Sequence, residues 1–280
     1  MRAERRESAR YWTSDLLPGG ELLTATFREQ RFSRHWHETY VIPVIQAGAQ
    51  GYWYRGGHHT ATPGTIAAIN PGEVHTGERA TRDGWVYRAF YPSTSWMSGL
   101  ASAIAGRLVP APSFPDATIF DPLVAGRLVS AHTKLERGAD PLEAEIALHS
   151  AFALLLQRYA RSGVDPAPES RDQKRVRTMQ VVLSQELNRP ITLTELAASV
   201  GLSPFHAARL FTKATGIPPH AWRNQLRITR AVGLLRAGKS VADAAASVGF
   251  FDQSHFTRCF RRVYGVPPGT LTKAIQHRGT

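Results

Sequence analysis

The sequence predicts two domains: a small β-barrel followed by helices, and then an all-α domain that contains two helix–turn–helix units. Three observations predict this arrangement: the chain has 280 residues, short strand patterns occupy its first third, and a helical segment is repeated near its end. A chain of this length has room for two ordinary domains. With 42% hydrophobic and 20% charged residues, it can form a packed core. Its single cysteine excludes an intramolecular disulfide and a cysteine-rich zinc site.

A proline- and serine-rich stretch separates the two predicted domains. We place the first domain at residues 1–161, a linker at 162–172 and the second domain at 173–280. No stretch approaches the roughly 20 apolar residues that a membrane helix needs. The charged N-terminus is not followed by the apolar segment of a secretory signal. We therefore expect a soluble, cytoplasmic protein without a membrane partner.

The first domain alternates short strand patterns with turns. Gly56-Gly57, Pro63-Gly64 and Asp83-Gly84 are typical turn sequences between these strands. The five predicted strands are Leu22–Phe27, Tyr40–Ile45, Gly51–Tyr54, Thr65–Ile69 and Trp85–Tyr91. After about residue 96 the spacing of the apolar residues becomes helical. The predicted helices are Trp96–Leu108, Pro122–Glu136 and Pro141–Arg161.

The excess of positive charge lies entirely in the second domain. Residues 1–170 carry 17 Lys and Arg and 17 Asp and Glu, whereas residues 171–280 carry 17 against 5. The net charge of +12 therefore belongs to the last 110 residues. A block so basic attracts polyanions, most often nucleic acid or an anionic membrane surface. A surface that charge merely keeps in solution is the alternative.

The basic domain contains a duplicated segment. The heptapeptide 195–201 recurs as 243–249, and the Gly-x-Pro-Pro sequence 216–219 recurs as 265–268. Two copies indicate two similar units rather than a solenoid, which needs at least three. In each copy an alanine-rich helix, a glycine turn and an amphipathic helix follow one another, which predicts a helix–turn–helix unit.

The second helix of each unit has a buried and a polar stripe. Thr194 is predicted to cap the first helix and Gly201 to end it, and Ser203 caps the second helix with proline at its first position. The predicted buried stripes are Ala207, Leu210, Phe211 and Ala214 in the first unit and Phe256, Cys259, Phe260 and Val263 in the second. The adjacent stripes carry Arg209 and Arg258, and an arginine there can reach guanine edges or phosphates. An ordinary amphipathic surface helix is the alternative.

These features make the segment 175–270 similar to the DNA-binding domain of the AraC/XylS family of bacterial transcription regulators. The match consists of the sequences 191–197, 201–205, 209–211, 249–250 and 254–256. The resemblance implies two helix–turn–helix units joined by one long helix, at about Pro219–Ala237. An aromatic residue and an arginine usually follow each Pro-Pro in the family. The first copy has Trp222-Arg223 at that place, but the second has Leu271-Thr272.

The resemblance implies that the protein binds duplex DNA, with the second helix of each unit in the major groove. The residues that it assigns to DNA contact are Phe205, His206, Arg209, Gln253, Ser254, His255, Thr257, Arg258, Arg261 and Arg262. Of these, we expect Arg209 to read bases and Arg262 to contact a phosphate.

A second resemblance concerns the first domain. The sequences 34–38 and 70–75 resemble parts of the cupin barrel that precedes many AraC-type DNA-binding domains. The effector-binding residues that it implies are Arg34, His35, His37 and His75. Trp53 suits the wall of such a pocket and suits a plain hydrophobic core equally well. The three histidines also occupy the histidine places of a metal-binding cupin, but Val41 stands at the place of the glutamate ligand. Three interpretations stay open: a pocket for a small polar or anionic ligand, a divalent metal site, or histidines bonded to the backbone.

The sequence therefore predicts a sequence-specific transcription regulator controlled by a small-molecule effector, with no catalytic residues and no cofactor. The resemblance also implies a homodimer formed through the helix Pro141–Arg161, although that helix could pack on its own barrel instead. RNA polymerase would be a further partner of an activator. Two rivals are a metal-dependent cupin oxygenase or isomerase fused to a DNA-binding module, and an architectural DNA binder without an effector.

Overall fold

The computed structural model of the chain describes residues 7–161, 170–185 and 187–271. These residues divide into two compact units, 7–31 with 36–161 and 170–271 with 32–35. The strand at 32–35 is hydrogen-bonded into a sheet of the first unit and is described there. Most of the predicted linker, at 162–169, lies outside the described residues.

Among the described residues, the first unit contains ten strands in two sheets. They are β1 (Ser8–Trp12), β2 (Glu21–Phe27), β3 (Phe32–His35), β4 (Ile42–Gly48), β5 (Gln50–Tyr54), β6 (Gly57–Ala61), β7 (Thr65–Ala67), β8 (His75–Arg79), β9 (Trp85–Tyr91) and β10 (Thr118–Phe120). The larger sheet has the order β1-β2-β9-β4-β7-β10, and the smaller sheet has the order β3-β8-β5-β6. A sheet-rich first unit and a helical second unit confirm the predicted fold class.

Five of these strands were predicted and five were not. β9 has the predicted bounds, whereas β4 begins at Ile42 rather than Tyr40. The Tyr40 N–H still donates to the Pro92 carbonyl in the register of the β4–β9 pair, but proline has no N–H to return a bond, so the ladder ends there. β7 ends at Ala67 rather than Ile69, which forms an isolated bridge with Val41. The strands β1, β3, β6, β8 and β10 were not predicted. β6 and β8 carry glycine, histidine and charged residues without apolar alternation, and they are strands because both pair with β5.

Three helices cover one face of the larger sheet: α1 (Thr94–Ala105), α2 (Pro122–Arg137) and α3 (Pro141–Tyr159). The core between them contains Leu22 and Phe90 from the sheet, Leu128 from α2 and Phe152 from α3, all fully buried. Removing these apolar side chains from water is the main force that holds the layers together.

Two of the three helices end earlier than predicted. α1 ends at Ala105 rather than Leu108, because Gly106 adopts a φ of 65° and stops the helix. α3 ends two residues before Arg161, which instead pairs its backbone with Ser113. α2 continues one residue beyond the predicted Glu136 before Gly138 ends it in the same left-handed conformation.

The second unit consists of six helices among its described residues. They are α4 (Arg171–Ser184), α5 (Leu193–Ala198), α6 (Pro204–Thr215), α7 (Pro219–Arg236), α8 (Val241–Ser247) and α9 (Gln253–Tyr264). α4 begins before the predicted boundary at residue 173, because Ser170 and Gln173 form a capping box. The joining helix α7 agrees with its predicted span to one residue and buries Leu226, Ala231 and Leu235. No described helix is both long enough and apolar enough to cross a membrane.

The helix–turn–helix units are confirmed, with one correction to the capping. Thr192, and not Thr194, caps α5: its hydroxyl accepts from the Glu195 N–H at 3.1 Å while the Glu195 carboxylate accepts from the Thr192 N–H at 2.7 Å. This reciprocal pair satisfies two backbone donors that a cap at Thr194 would leave unpaired. α5 ends at Ala198 rather than at Gly201, which instead lies in the following turn with a φ of 64°. Ser203 caps α6, as predicted.

Candidate DNA-binding surface and effector site

The first candidate recognition helix is α6, which has one buried and one exposed side. Ala207 and Phe211 are fully buried, and Phe211 packs edge-on against Trp222 of α7 at a ring distance of 6.0 Å. The predicted buried stripe was too wide, because Leu210 is only half-buried and Ala214 is exposed. The buried side of α6 is therefore limited to Ala207 and Phe211, which lie one turn apart. The predicted DNA contacts Phe205, His206 and Arg209 are all exposed, and 69% of Phe205 is accessible.

The second candidate recognition helix is α9, whose Asp252 side chain caps its first turn. Phe256, Phe260 and Tyr264 form its buried side at one-turn intervals, whereas Cys259 and Val263 of the predicted stripe are only half-buried. The predicted contacts Gln253, Ser254, Arg258, Arg261 and Arg262 are exposed, and His255 and Thr257 are half-buried. The polar side therefore presents arginines and hydrogen-bonding groups to solvent, as a groove-reading helix requires.

Sequence reasoning missed two features of this surface. A shallow depression of about 280 Å³ beside α6 is lined by Arg175, Arg209 and Lys213 together with His206 and Asp172. It extends the cationic surface onto α4, and the basic run from residue 171 to 177 was the available signal. In front of α9, Phe251 is fully exposed while its neighbour Phe250 is 6% exposed. An unaligned sequence cannot distinguish these two adjacent phenylalanines.

Three histidines of the first unit converge. One ring nitrogen from each of His35, His37 and His75 lies within 4.8 Å of the others. His35 and His75 are buried, and the ring of His37 lies 5.4 Å from that of His75 and 5.3 Å from that of Tyr91. The structure therefore brings together the three histidines that the sequence analysis selected.

Backbone carbonyls define the protonation of two of these rings. Nδ1 of His35 lies 2.7 Å from the Ser33 oxygen, and Nδ1 of His75 lies 3.1 Å from the Glu73 oxygen. Because a carbonyl only accepts, each Nδ1 carries the proton, and each Nε2 of the neutral ring keeps a lone pair. Such rings are acceptors for a ligand N–H or O–H, and this is also the tautomer of most metal-bound histidines.

Arg34 and Trp53 do not join this cluster. Successive side chains of a strand point to opposite faces, so Arg34 points away from the side of β3 that carries His35. On β5, Tyr54 is paired directly with His75, which places Trp53 on the opposite face. Side chains alternate between the two faces along β3 and β5, and the register of β5 with β8 fixes which face carries His75. These two features distinguish Arg34 and Trp53 from the histidines.

The carboxylate two residues before His75 is already bound. Glu73 accepts from Arg55 Nε and Nη2, both at 2.8 Å, and from the Tyr54 hydroxyl. Burial raises the pKa of Tyr54, and its hydrogen bond to the Glu73 carboxylate raises it further, so the phenol stays protonated. Among the described residues, the group able to hold a metal contains three histidines and no carboxylate.

Comparisons with known proteins agree with both halves of the structure. The family described as AraC-like ligand binding domain matches residues 17–152, and the one described as Helix-turn-helix domain matches residues 196–274. The uncharacterized HTH-type transcriptional regulator YbfI of Bacillus subtilis is 28% identical over 81% of this chain and 82% of its own length. The HTH-type transcriptional activator RhaS of Escherichia coli is 24% identical over 91% and 93%.

A solved structure of apo ToxT from Vibrio cholerae has a similar fold. It aligns with a TM-score of 0.60 over 91% of this chain and 97% of ToxT, and at 11% identity this likeness concerns the fold alone. The two matched families together span both units of the structure, with the duplicated helix–turn–helix in the second. The chain belongs to the AraC/XylS family and is a DNA-binding transcription regulator with an N-terminal ligand-binding domain.

Proposed function

We propose that the protein reads two neighbouring segments of one DNA site through α6 and α9, and that a small molecule bound at the histidine cluster controls this binding. The observation that carries the proposal is the duplication of a helix with a buried aromatic side and an exposed arginine-bearing side. Two such helices in one chain suit two successive major grooves, about 34 Å apart on one face of the duplex.

The proposed base contacts are the exposed groups at the start of each recognition helix. Arg209 and Arg258 suit a guanine edge, and the polar groups of Gln253 and Ser254 suit other base edges. Phe205 and Phe251, both exposed, suit the methyl group of thymine. Further base contacts are proposed for His206, His255 and Thr257, and phosphate contacts for Arg175, Lys213, Arg261 and Arg262.

Selection of binding sites from a pool of random duplexes tests the DNA-binding part of the proposal. The full chain is expected to enrich a site with two short sequence elements whose centres lie about 10 base pairs apart. Enrichment of one element alone would remove either α6 or α9 from base reading. Enrichment of no sequence would contradict the proposed function.

The proposed effector is a small polar molecule that donates hydrogen bonds to His35 and His75. With Nδ1 directed at a carbonyl, Nε2 of each neutral ring has the chemistry of an acceptor, and the ring of Tyr91 beside His37 adds an aromatic wall. A metal ion is less well supported, because the described cluster holds no carboxylate and Val41 is a buried apolar residue. A metal assay on the purified chain separates the two, since stoichiometric iron or manganese would favour the oxygenase or isomerase function instead.

An exposed ridge on α3 supports a homodimer. Leu142 and Ile146 lie one turn apart and are 64% and 59% exposed, whereas Leu148, Phe152 and Leu155 pack onto the helix's own unit. The helix α3 thus has an inner apolar face against its own unit and an outer apolar ridge. A dimer would place two DNA-binding units on adjacent DNA sites. This would take place in the cytoplasm, where an activator bound beside a promoter would contact RNA polymerase.

A further inference from the structure

The second helix–turn–helix unit is held against the segment that precedes the first. Arg227 of α7 donates from Nε and Nη2 to the Leu187 carbonyl, at 2.9 and 2.7 Å. The same guanidinium lies 5.9 Å from the ring centre of Phe250, in the turn before α9. One half-buried side chain therefore contacts both the segment at 187–189, which leads into α5 of the first helix–turn–helix unit, and the turn at 249–250, which leads into α9 of the second.

Gly249 permits a backbone approach at this junction that no other residue would allow. A Cβ atom there would lie 2.6 Å from the Leu187 oxygen, 2.8 Å from the Asn188 Cα and 3.0 Å from Arg227 Nη2. Gly201 occupies the matching turn of the first helix–turn–helix unit. Its φ is similarly positive, 64° against 84° for Gly249, but a Cβ at Gly201 would meet no atom within 4 Å. The close approach of the backbone is therefore a feature of the second helix–turn–helix unit and not of the turn motif in general.

A neighbouring arginine supports the same junction. Arg223, one turn before Arg227 on α7, donates from Nη2 to the Arg189 carbonyl. Two cationic side chains of one helix thus hold two carbonyls of the segment at 187–189. Hydrogen bonds from charged donors are stronger than those between neutral groups, and losing them would leave the carbonyl of half-buried Leu187 without these bonds.

We propose that Arg227 and Gly249 are positioning residues that lock the two helix–turn–helix units into one rigid body, and so fix the spacing at which α6 and α9 meet DNA. This rests on the proposed function, in which both helices read bases. A rigid pair accepts one spacing of its two sequence elements, whereas two loosely joined units tolerate several and lose the affinity gained by joint binding. Each inserted base pair rotates the second element by about 35° around the duplex, so a rigid pair detects a single insertion.

The test measures the affinity of the full chain for the enriched DNA site and for versions with one to five base pairs inserted between its elements. The wild type is expected to lose about tenfold or more in affinity on the first insertion. Gly249→Ala is expected to bind the original site about tenfold more weakly and to differ by only about twofold among spacings. Gly201→Ala is the matched control, because it bears the same backbone strain without the clash, and it should keep the spacing preference of the wild type.

Arg227→Lys keeps the charge but cannot donate two bonds to the Leu187 carbonyl from a planar group. It should relax the spacing preference as Gly249→Ala does, while its affinity for a duplex with only the first element stays within about twofold of the wild type. If Gly249→Ala does not fold, the spacing preference of Arg227→Lys tests the proposal instead. A wild-type spacing preference in a folded Arg227→Lys variant would overturn the proposal. Failure of the wild type to enrich any site would be seen before these variants are made and would overturn the proposed function itself.

Discussion

Two exposed arginines in the second unit have different expected partners. Arg209 lies on the outer side of α6 beside His206, and Arg262 lies in the last turn of α9. The first turns of a recognition helix approach base edges, whereas residues near its end approach the phosphate backbone. Charge alone cannot separate these roles, because both side chains carry the same guanidinium.

Alanine substitution distinguishes the expected roles of Arg209 and Arg262. Arg209→Ala should relax the preference for one or two base pairs and cost about 1–3 kcal/mol of binding free energy at the enriched site. Arg262→Ala should weaken binding to all sequences by a similar factor and leave the preferences unchanged. Repeating the site selection with each variant measures both effects. Unchanged selectivity in Arg209→Ala would reassign this arginine to phosphate binding.

His37 is the residue that we expect to transmit effector binding. A ligand changes DNA affinity only if it binds two states of the protein differently. His37→Ala should therefore abolish the change in DNA affinity caused by any compound that raises the melting temperature of the wild type. Its affinity for DNA without the compound should stay within about twofold, since His37 and the recognition helices belong to different units.

The control for this prediction is His58→Ala. His58 lies on β6 in the same unit with its side chain 57% exposed, and it is not part of the converging group. This variant should respond to the compound as the wild type does. A normal response in His37→Ala would remove the histidine cluster from the mechanism.

At the scale of elements, the first turn of α2 depends on the charge of one carboxylate. Asp121 Oδ1 accepts from the Leu123 and Val124 N–H groups, each at 3.0 Å, and Oδ2 accepts from Arg158 at 2.7 Å and Tyr159 at 2.8 Å. Burial raises the pKa of Asp121, but these hydrogen bonds and the charge of Arg158 outweigh it and lower the pKa to about 2.

This lowered pKa predicts how stability depends on pH. An unfolded aspartate has a pKa of about 3.9, so the stabilisation from Asp121 is fully present above about pH 5 and is lost as the pH falls through the folded pKa of about 2. Asp121→Asn keeps the helix cap but removes the charge, so it should lower stability at pH 7 and flatten the decline below pH 4. Urea unfolding curves at several pH values measure this. The same change at the exposed α3 cap, Asp140→Asn, should have little effect, and equal effects of the two would contradict the role of Arg158.

The outer ridge of α3 predicts the oligomeric state. Ile146→Glu places a charge in the centre of the proposed dimer contact, where desolvating it is costly. We expect this variant to be a monomer by light scattering, whereas the wild type is a dimer. Glu145→Gln, on the adjacent position of α3, should leave the dimer intact. A wild-type monomer, or a dimeric Ile146→Glu, would contradict the proposed interface.

Elements were predictable where local chemistry determines them. β9 alternates clearly enough to define both of its ends, and Ser203 followed by proline defines the start of α6. Thr192 was missed because Thr194, two residues later, is an equally good cap in isolation, and only the Glu195 side chain distinguishes them. The histidine cluster was predictable through family resemblance. The Gly249 junction was not, because Gly201 and Gly249 look alike in sequence and differ only in tertiary contact.

At the scale of the whole molecule, charge follows function. The last 110 residues carry the whole net charge of +12, while the remainder is neutral. A DNA-binding unit needs cations because each phosphate that it neutralises releases a counterion. A ligand-binding unit gains nothing from that charge. The electrostatic contribution should therefore act on all sequences, and the recognition helices should add the discrimination between them.

Salt dependence measures the electrostatic part. With about six phosphate contacts, the logarithm of the DNA association constant should fall against the logarithm of salt concentration with a slope near −5. Arg262→Ala should reduce the magnitude of this slope by about one. Fluorescence anisotropy between 50 and 200 mM salt covers the useful range. A slope near zero would contradict the electrostatic account.

The central claim, that this chain reads a specific DNA sequence through two helices, is tested most directly by one ratio. It is the affinity of the full chain for the enriched site divided by its affinity for a scrambled duplex of equal length and composition, at one fixed salt concentration. Specific regulators reach ratios of about 10³ or more. We predict a ratio in that range for the wild type, and a fall of tenfold or more when Arg209 and Arg258 are both changed to alanine. A wild-type ratio near one would contradict the claim.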